Sequence, residues 1–130
     1  MDARTHVLVF DSDVDQLQTF CRGLAYLGFT CTPARAPAEA LSLLCGPASE
    51  RFDLWLVDSS APGKAGTRLV VDARALRPGL PVLVVIGLSV PPDVTALRAS
   101  GIGTLRMPFT PAQLGAAIER LLAPAAGPRP

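Results

Sequence analysis

A chain of 130 residues with 12 Lys and Arg against 11 Asp and Glu carries a formal net charge of +1. With no basic run or acidic tail it offers no phosphate-tracking surface, which argues against direct nucleic-acid binding, and no apolar run approaches the length of a membrane span. An apolar share of 49% with only 5% aromatics predicts one soluble domain with a core of Leu, Val, Ala and Ile.

Short apolar runs and helical spacing alternate from end to end, which predicts βαβ units around a parallel sheet. His6 to Phe10 is the first strand. From Asp13 as N-cap, Leu17, Phe20, Cys21, Leu24 and Leu27 recur at helical spacing, and Gly28 supplies the stop. Phe29 to Pro33 reads as an edge strand, since Pro33 cannot donate to a ladder. Pro37 opens a helix through Ala40, Leu41, Leu43 and Leu44 that stops near Gly46-Pro47, and Phe52 to Val57 is the third strand. A helix after Gly66 carries Leu69, Val70, Ala73 and Leu76 and ends at Pro78-Gly79. Pro81 to Ile86, continuously apolar, is the most deeply buried strand by pattern. Pro91-Pro92 begins a helix through Val94, Leu97 and Arg98, and Gly103 to Met107 is the fifth strand. Thr110-Pro111 caps a last helix through Leu114, Ala117, Ile118, Leu121 and Leu122.

Residues 1–122 therefore form one domain, and residues 123–130, Pro, Ala and Gly without period, a tail or linker. Strict alternation of five strands with five helices predicts a three-layer, flavodoxin-like, doubly wound α/β fold with a parallel sheet of order 2-1-3-4-5. Cys21, Cys31 and Cys45 are odd in number, form no CxxC pair and have only His6 to assist a metal. They read as buried free thiols in a reducing cytoplasm, the expected location of a chain without a leader pattern. Trp55 belongs to the core and His6 to the surface.

Two strands end on an aspartate, Val7-Leu8-Val9-Phe10-Asp11 and Leu54-Trp55-Leu56-Val57-Asp58. In the expected topology the chain reverses direction across the sheet beside strands 1 and 3, whose carboxyl ends open on the crevice where such sheets place ligands. Two carboxylates there can share a divalent cation or act one on the other.

Together with Ser12-Asp13, Pro62-Gly63, Gly66, Pro81 through Gly87 and Pro108-Phe109, these segments resemble the receiver domains of two-component response regulators over essentially the whole folded length. The resemblance implies that Asp58 is the phosphoacceptor, its carboxylate attacking a phosphohistidine to give an acyl phosphate. It further implies Mg²⁺ held by Asp11, Asp58 and the backbone carbonyl of Ser60, with a second acid at position 12. A lysine before the Pro-Phe pair would grip the phosphoryl group, a Thr or Ser ending the fourth strand would bond it, and a fifth-strand aromatic would turn inward.

This chain departs from that pattern at Ser12, Met107, Ile86 and Thr104. Ser12 removes a carboxylate from a site where Mg²⁺ binds through few protein ligands. Met107 has no charge or N–H for a phosphoryl oxygen. Ile86 cannot bond a phosphate, so it would not distinguish a phosphorylated state from an unphosphorylated one. Arg106 is no substitute for the lost lysine, because strand alternation sends it to the face opposite Met107. Lys64, the only lysine, reads as a solvated loop residue. Met107 and Ile86 are expected to pack together across a crevice turned partly apolar, where desolvation would raise the pKa of a neighbouring carboxylate.

The expected function is that of an atypical, non-enzymatic pseudo-receiver with a weak Mg²⁺ site at most and phosphorylation at Asp58 impaired or unused as a switch. Its partners would be a histidine kinase, an output domain or another receiver, with homodimerisation through residues 91–122 implied by the resemblance. Two alternatives stay open: a working phosphorelay receiver with weakly coupled Asp58 chemistry, and a small-molecule sensor using the same crevice. A flavin carrier on this fold is disfavoured, because the loop after the first strand lacks a Ser/Thr/Gly phosphate cradle.

Overall fold

In a computed structural model that describes residues 5–11, 13–47, 51–58, 70, 74–75, 77–87 and 102–123, the apolar runs lie side by side as one parallel sheet. The strands are β1 (His6–Phe10), β2 (Thr30–Ala34), β3 (Leu54–Asp58), β4 (Val82–Ile86) and β5 (Gly103–Arg106), in the order β2-β1-β3-β4-β5. Every residue of β3 and β4 is buried, as continuous apolar strands covered on both faces require. Pro33 sits on β2 at the sheet edge, where a missing donor is tolerated.

Three described helices, α1 (Val14–Tyr26), α2 (Pro37–Cys45) and α3 (Pro111–Leu122), match expected ones. Val70, Arg74 and Ala75 are helical, in keeping with the helix expected after Gly66. The rest of that segment, the helix expected from Pro91-Pro92 and residues 124–130 lie outside the described residues.

Strand alternation splits the core in two. Leu8, Phe10, Trp55, Val57, Val84 and Ile86 face Ala40 and Leu44 of α2. Val7, Val9, Leu54, Leu56, Leu83 and Val85 face Leu17, Phe20 and Leu24 of α1 and Leu114 and Ile118 of α3. Each such side chain removed from water contributes roughly 1.5–3 kcal/mol. Trp55 is the largest fully buried side chain, as expected from its place in the third strand.

Both long helices are fixed at their starts by side chains. The Asp13 carboxylate accepts from the N–H groups of Asp15 and Gln16 at 3.0 and 3.2 Å, satisfying donors that the helix leaves orphaned. At α3, Gln113 N–H donates to Thr110 Oγ1 (3.1 Å) while Thr110 N–H donates to Gln113 Oε1 (2.8 Å), a reciprocal capping box. After α1, Gly28 takes φ 95°, a conformation that Cβ-bearing residues rarely adopt. Gly103 has a different reason to be glycine: a Cβ there would lie 2.8 Å from Leu121 Cδ1, so its absence lets α3 approach β5.

Several expectations need correction. β2 runs from Thr30 to Ala34, one residue later than expected, and β3 begins at Leu54 rather than Phe52. Phe52 is nonetheless buried in the α2-side core, which accounts for its strand-like apolar signal. β5 ends at Arg106, before Met107 and Pro108.

Cys21 and Cys31 are not free thiols. α1 returns the chain toward β2, which brings residues separated by 10 in sequence to a Cα–Cα distance of 5.8 Å, and their sulfurs are joined as a disulfide. Cys45 is free but exposed, at the end of α2.

His6 is half-buried rather than superficial, because β1 has neighbours on both sides. Its ring meets Phe52 edge-on at 5.0 Å, and Nε2 lies 2.6 Å from Thr32 Oγ1. Burial lowers the imidazole pKa and Arg51 lowers it further, while Asp53 opposes both.

Candidate functional site

β1 and β3 are adjacent and pair Phe10 with Val57, so Asp11 and Asp58 stand one step further along, side by side at the carboxyl ends of the strands. Alternation places both on the face of Val9 and Leu56, toward α1 and α3. Asp11 is 0% exposed and Asp58 3%, the two buried polar or charged residues among those described.

The pair is held from the backbone outward. Asp11 N–H donates to the Ala34 carbonyl of β2 (3.1 Å), and Asp58 pairs with Val85 of β4. Asp11 Oδ1 accepts from Asp13 N–H at 2.9 Å, which ties the carboxylate to the start of α1. Asp11 Oδ2 is buried with no hydrogen-bond partner among the described residues.

Burial pushes the Asp11 carboxyl up to about 7, with the charge of Asp58 and a side-chain hydrogen bond between the two acids adding to the rise, against the opposing Asp13 N–H. Two ionised carboxylates are both acceptors and cannot bond each other. The interaction becomes a bond only when a proton is shared, and the bare Oδ2 is the oxygen of Asp11 free to take that proton. A divalent cation could stand in the proton's place, for an orphaned carboxylate oxygen beside a second acid is a donor set suited to a hard ion that keeps several waters. Among the described residues no group of three or more His, Cys, Asp or Glu could hold a metal.

The other predicted positions are distributed differently. Ser12, Ser60, Lys64, Pro62-Gly63 and Gly66 lie outside the described residues. Met107 is half-buried on the same side of the sheet as Asp58, packed against the α1-side core. Ile86 is fully buried on the opposite side with Trp55 and Val57. The expected packing of Met107 on Ile86 is therefore wrong: alternation turns their side chains to opposite faces, and what joins them is Met107 N–H donating to the Ile86 carbonyl at 2.9 Å. Thr104 pairs with Val84 and is half-buried. Arg106 is exposed on the face away from Met107, as alternation predicts.

The sequence reading missed an apolar groove of about 490 Å³ between α1 and the β5–α3 junction. Gln16, Thr19, Phe20, Met107, Phe109 and Leu114 line it, and the rings of Phe20 and Phe109 stack at 6.0 Å with an interplanar angle of 8°. Phe109 lies outside every periodic segment, so only its pairing with Pro108 marked it. Met107 joins the two features, since it forms groove wall on the face that carries the acids. No helix among the described residues is long and apolar enough to cross a membrane.

No protein-family model matches the chain. It is 35% identical over 117 residues to the transcriptional regulatory protein PrrA of Mycobacterium tuberculosis, an alignment covering 89% of this chain and 49% of PrrA. The chain thus spans about half the length of that relative. Its fold is similar to a CheY-like response regulator receiver domain protein from Methanospirillum hungatei, with TM-score 0.79 and 25% identity over 92% of this chain and 94% of that one. It is also similar to the chemotaxis protein CheY4 of Vibrio cholerae, with TM-score 0.77 and 26% identity over 92% of this chain and 100% of that one.

Proposed function

Because the chain belongs to the response-regulator receiver domains of two-component signalling, we propose that it is an atypical member in which phosphorylation of Asp58 is impaired or does not operate as a switch. One observation carries this reading. Asp11 and Asp58 are buried together, while the face they share presents the thioether of Met107. Ile86, at the end of β4, is fully buried on the other face.

Phosphoryl transfer to a carboxylate is chiefly positioning and charge neutralisation. Bound Mg²⁺ would supply the neutralisation, held by Asp11, Asp58 and, by resemblance, the Ser60 carbonyl. Asp11 would orient that ion through Oδ2 while the Asp13 N–H fixes Oδ1. Nothing on Met107 replaces a lysine's charge, and an Ile at position 86 gives a transferred phosphoryl group no hydroxyl to pull.

The domain then signals by protein contact, as a non-enzymatic cytoplasmic module working with a histidine kinase, an output domain or another receiver. The surface of β5 and α3, with Arg106 and Arg120 exposed, is the described part of the contact face expected over residues 91–122. Through that face the domain pairs with a second copy of itself.

Incubation with acetyl phosphate and Mg²⁺, followed by intact-mass measurement and size-exclusion chromatography, tests the proposal. Slow, substoichiometric labelling with an unchanged oligomeric state is the expected result. A stoichiometric phosphoryl adduct that is lost in Asp58→Ala and changes the oligomeric state would establish a working phosphoacceptor instead.

A further inference from the structure

The disulfide between α1 and β2 has no part in the reading above, and its placement points to chemistry of its own. We propose that Cys21 and Cys31 form a reversible thiol-oxidation site whose oxidant is a small-molecule disulfide of the glutathione type. Three observations converge on it.

The first is spacing. The two Cα atoms lie 5.8 Å apart on elements that pack directly together, within the range a disulfide spans without backbone movement. The second is access. Both residues are half-buried, and Cys21 lines an open cavity of about 270 Å³ with Val14, Gln18, Pro33 and Arg35, so a small thiol or disulfide can approach its sulfur from solvent. The third is that the fold has no need of a staple. Apolar side chains fill a core on both faces of the sheet, whereas the domains that depend on disulfides to fold are typically small ones lacking such a core.

The reaction is ordinary thiol–disulfide exchange. The Cys21 thiolate attacks one sulfur of the oxidant, forming a mixed disulfide and expelling one small thiolate. The Cys31 thiolate then attacks Cys21 Sγ, closing the protein disulfide and expelling the second. Two cysteine thiols are oxidised, one small disulfide is reduced to two thiols, and the two protein thiol protons pass to the departing thiolates.

Oxidation fastens the middle of α1 to the edge strand. The start of the same helix is bonded through Asp13 N–H to Asp11, and its side chains Gln16, Thr19 and Phe20 wall the apolar groove. The redox state therefore sets how firmly α1 is anchored beneath both features, whatever the fate of Asp58.

The test uses the whole chain carrying Cys45→Ser, which removes the exposed free thiol from the count. Samples are equilibrated over a series of oxidised-to-reduced glutathione ratios, quenched with acid, alkylated and weighed. Cys21 and Cys31 are expected to become protected together in a single two-electron step within that series. The oxidised form should melt roughly 10 °C above the reduced form, the shift expected for closing a loop of this length in a domain of this size. Cys31→Ser and Cys31→Ala should both abolish the shift, and if either fails to fold, the alkylation series on the intact pair carries the test alone. Independent alkylation of the two cysteines at every ratio, persistence of the bond in the most reducing buffer, or a melting temperature indifferent to oxidation would each overturn the proposal.

Discussion

Asp11→Asn raises the stability of the metal-free domain at about pH 8 by on the order of 2 kcal/mol and flattens its dependence on pH. Asp11 has a value of 3.8 in the unfolded chain and about 7 in the fold. Across the interval between them the folded state binds a proton that the unfolded state has already released. The contribution of Asp11 to stability is therefore fully present below about pH 4, falls as pH rises, and is lost once the folded carboxyl is ionised above about 7. Asparagine removes the charge responsible. Its carbonyl can still accept from Asp13 N–H, and its amide can donate to Asp58 without a shared proton. Chemical unfolding at several pH values, with and without Mg²⁺, measures the effect. Added Mg²⁺ should narrow the difference by stabilising the wild-type chain alone, since a cation offsets the same repulsion. A variant less stable than wild type at high pH would mean that the buried carboxylate is not the source of the penalty.

The second large effect comes from restoration. Ser12→Asp combined with Met107→Lys should raise the initial rate of Asp58 labelling by acetyl phosphate roughly tenfold or more, since single charged or hydrogen-bonding groups at such sites are worth factors of that size. Met107 lies on the same face as Asp58, so a lysine there has the correct side of the sheet from which to reach it. Even so, the labelled double variant should not change its oligomeric state, because Ile86 remains turned into the opposite core. Single-turnover mass measurements of the wild type, each single variant and the double variant separate the two contributions. Equal rates in all four would place the defect elsewhere.

Much of this architecture was legible in the chain itself, and for physical reasons. Strands buried on both faces read as continuous apolar runs, so Leu54 to Val57 and Val82 to Ile86 announced themselves without alternation. Asp13 and Thr110 declared the helix starts, because only side chains of their type satisfy the first free N–H groups. The adjacency of Asp11 and Asp58 followed from strand order, which alternating strands and helices constrain closely.

Less visible were features that depend on which way a side chain turns once elements are packed. Ile86 ends β4 and Met107 directly follows β5 near the same crevice, yet alternation sends them to opposite cores. Cys21 and Cys31 carry no motif, and only the return of α1 onto β2 brings them together. The groove beside Met107 needs Phe20 from one end of the chain and Phe109 from the other, a meeting that no local period encodes.

Backbone amide chemical shifts report most directly whether the crevice keeps its acids without the groups that would transmit a phosphorylation event. Mg²⁺ and beryllofluoride, a stable mimic of a phosphoryl group, are added to the isotopically labelled protein. Changes are expected only in residues flanking Asp11 and Asp58, the ladder partner Val85 included, with Ile86, Thr104 and Met107 unmoved. Saturable, concerted shifts running through Ile86, Thr104 and Met107 would contradict this.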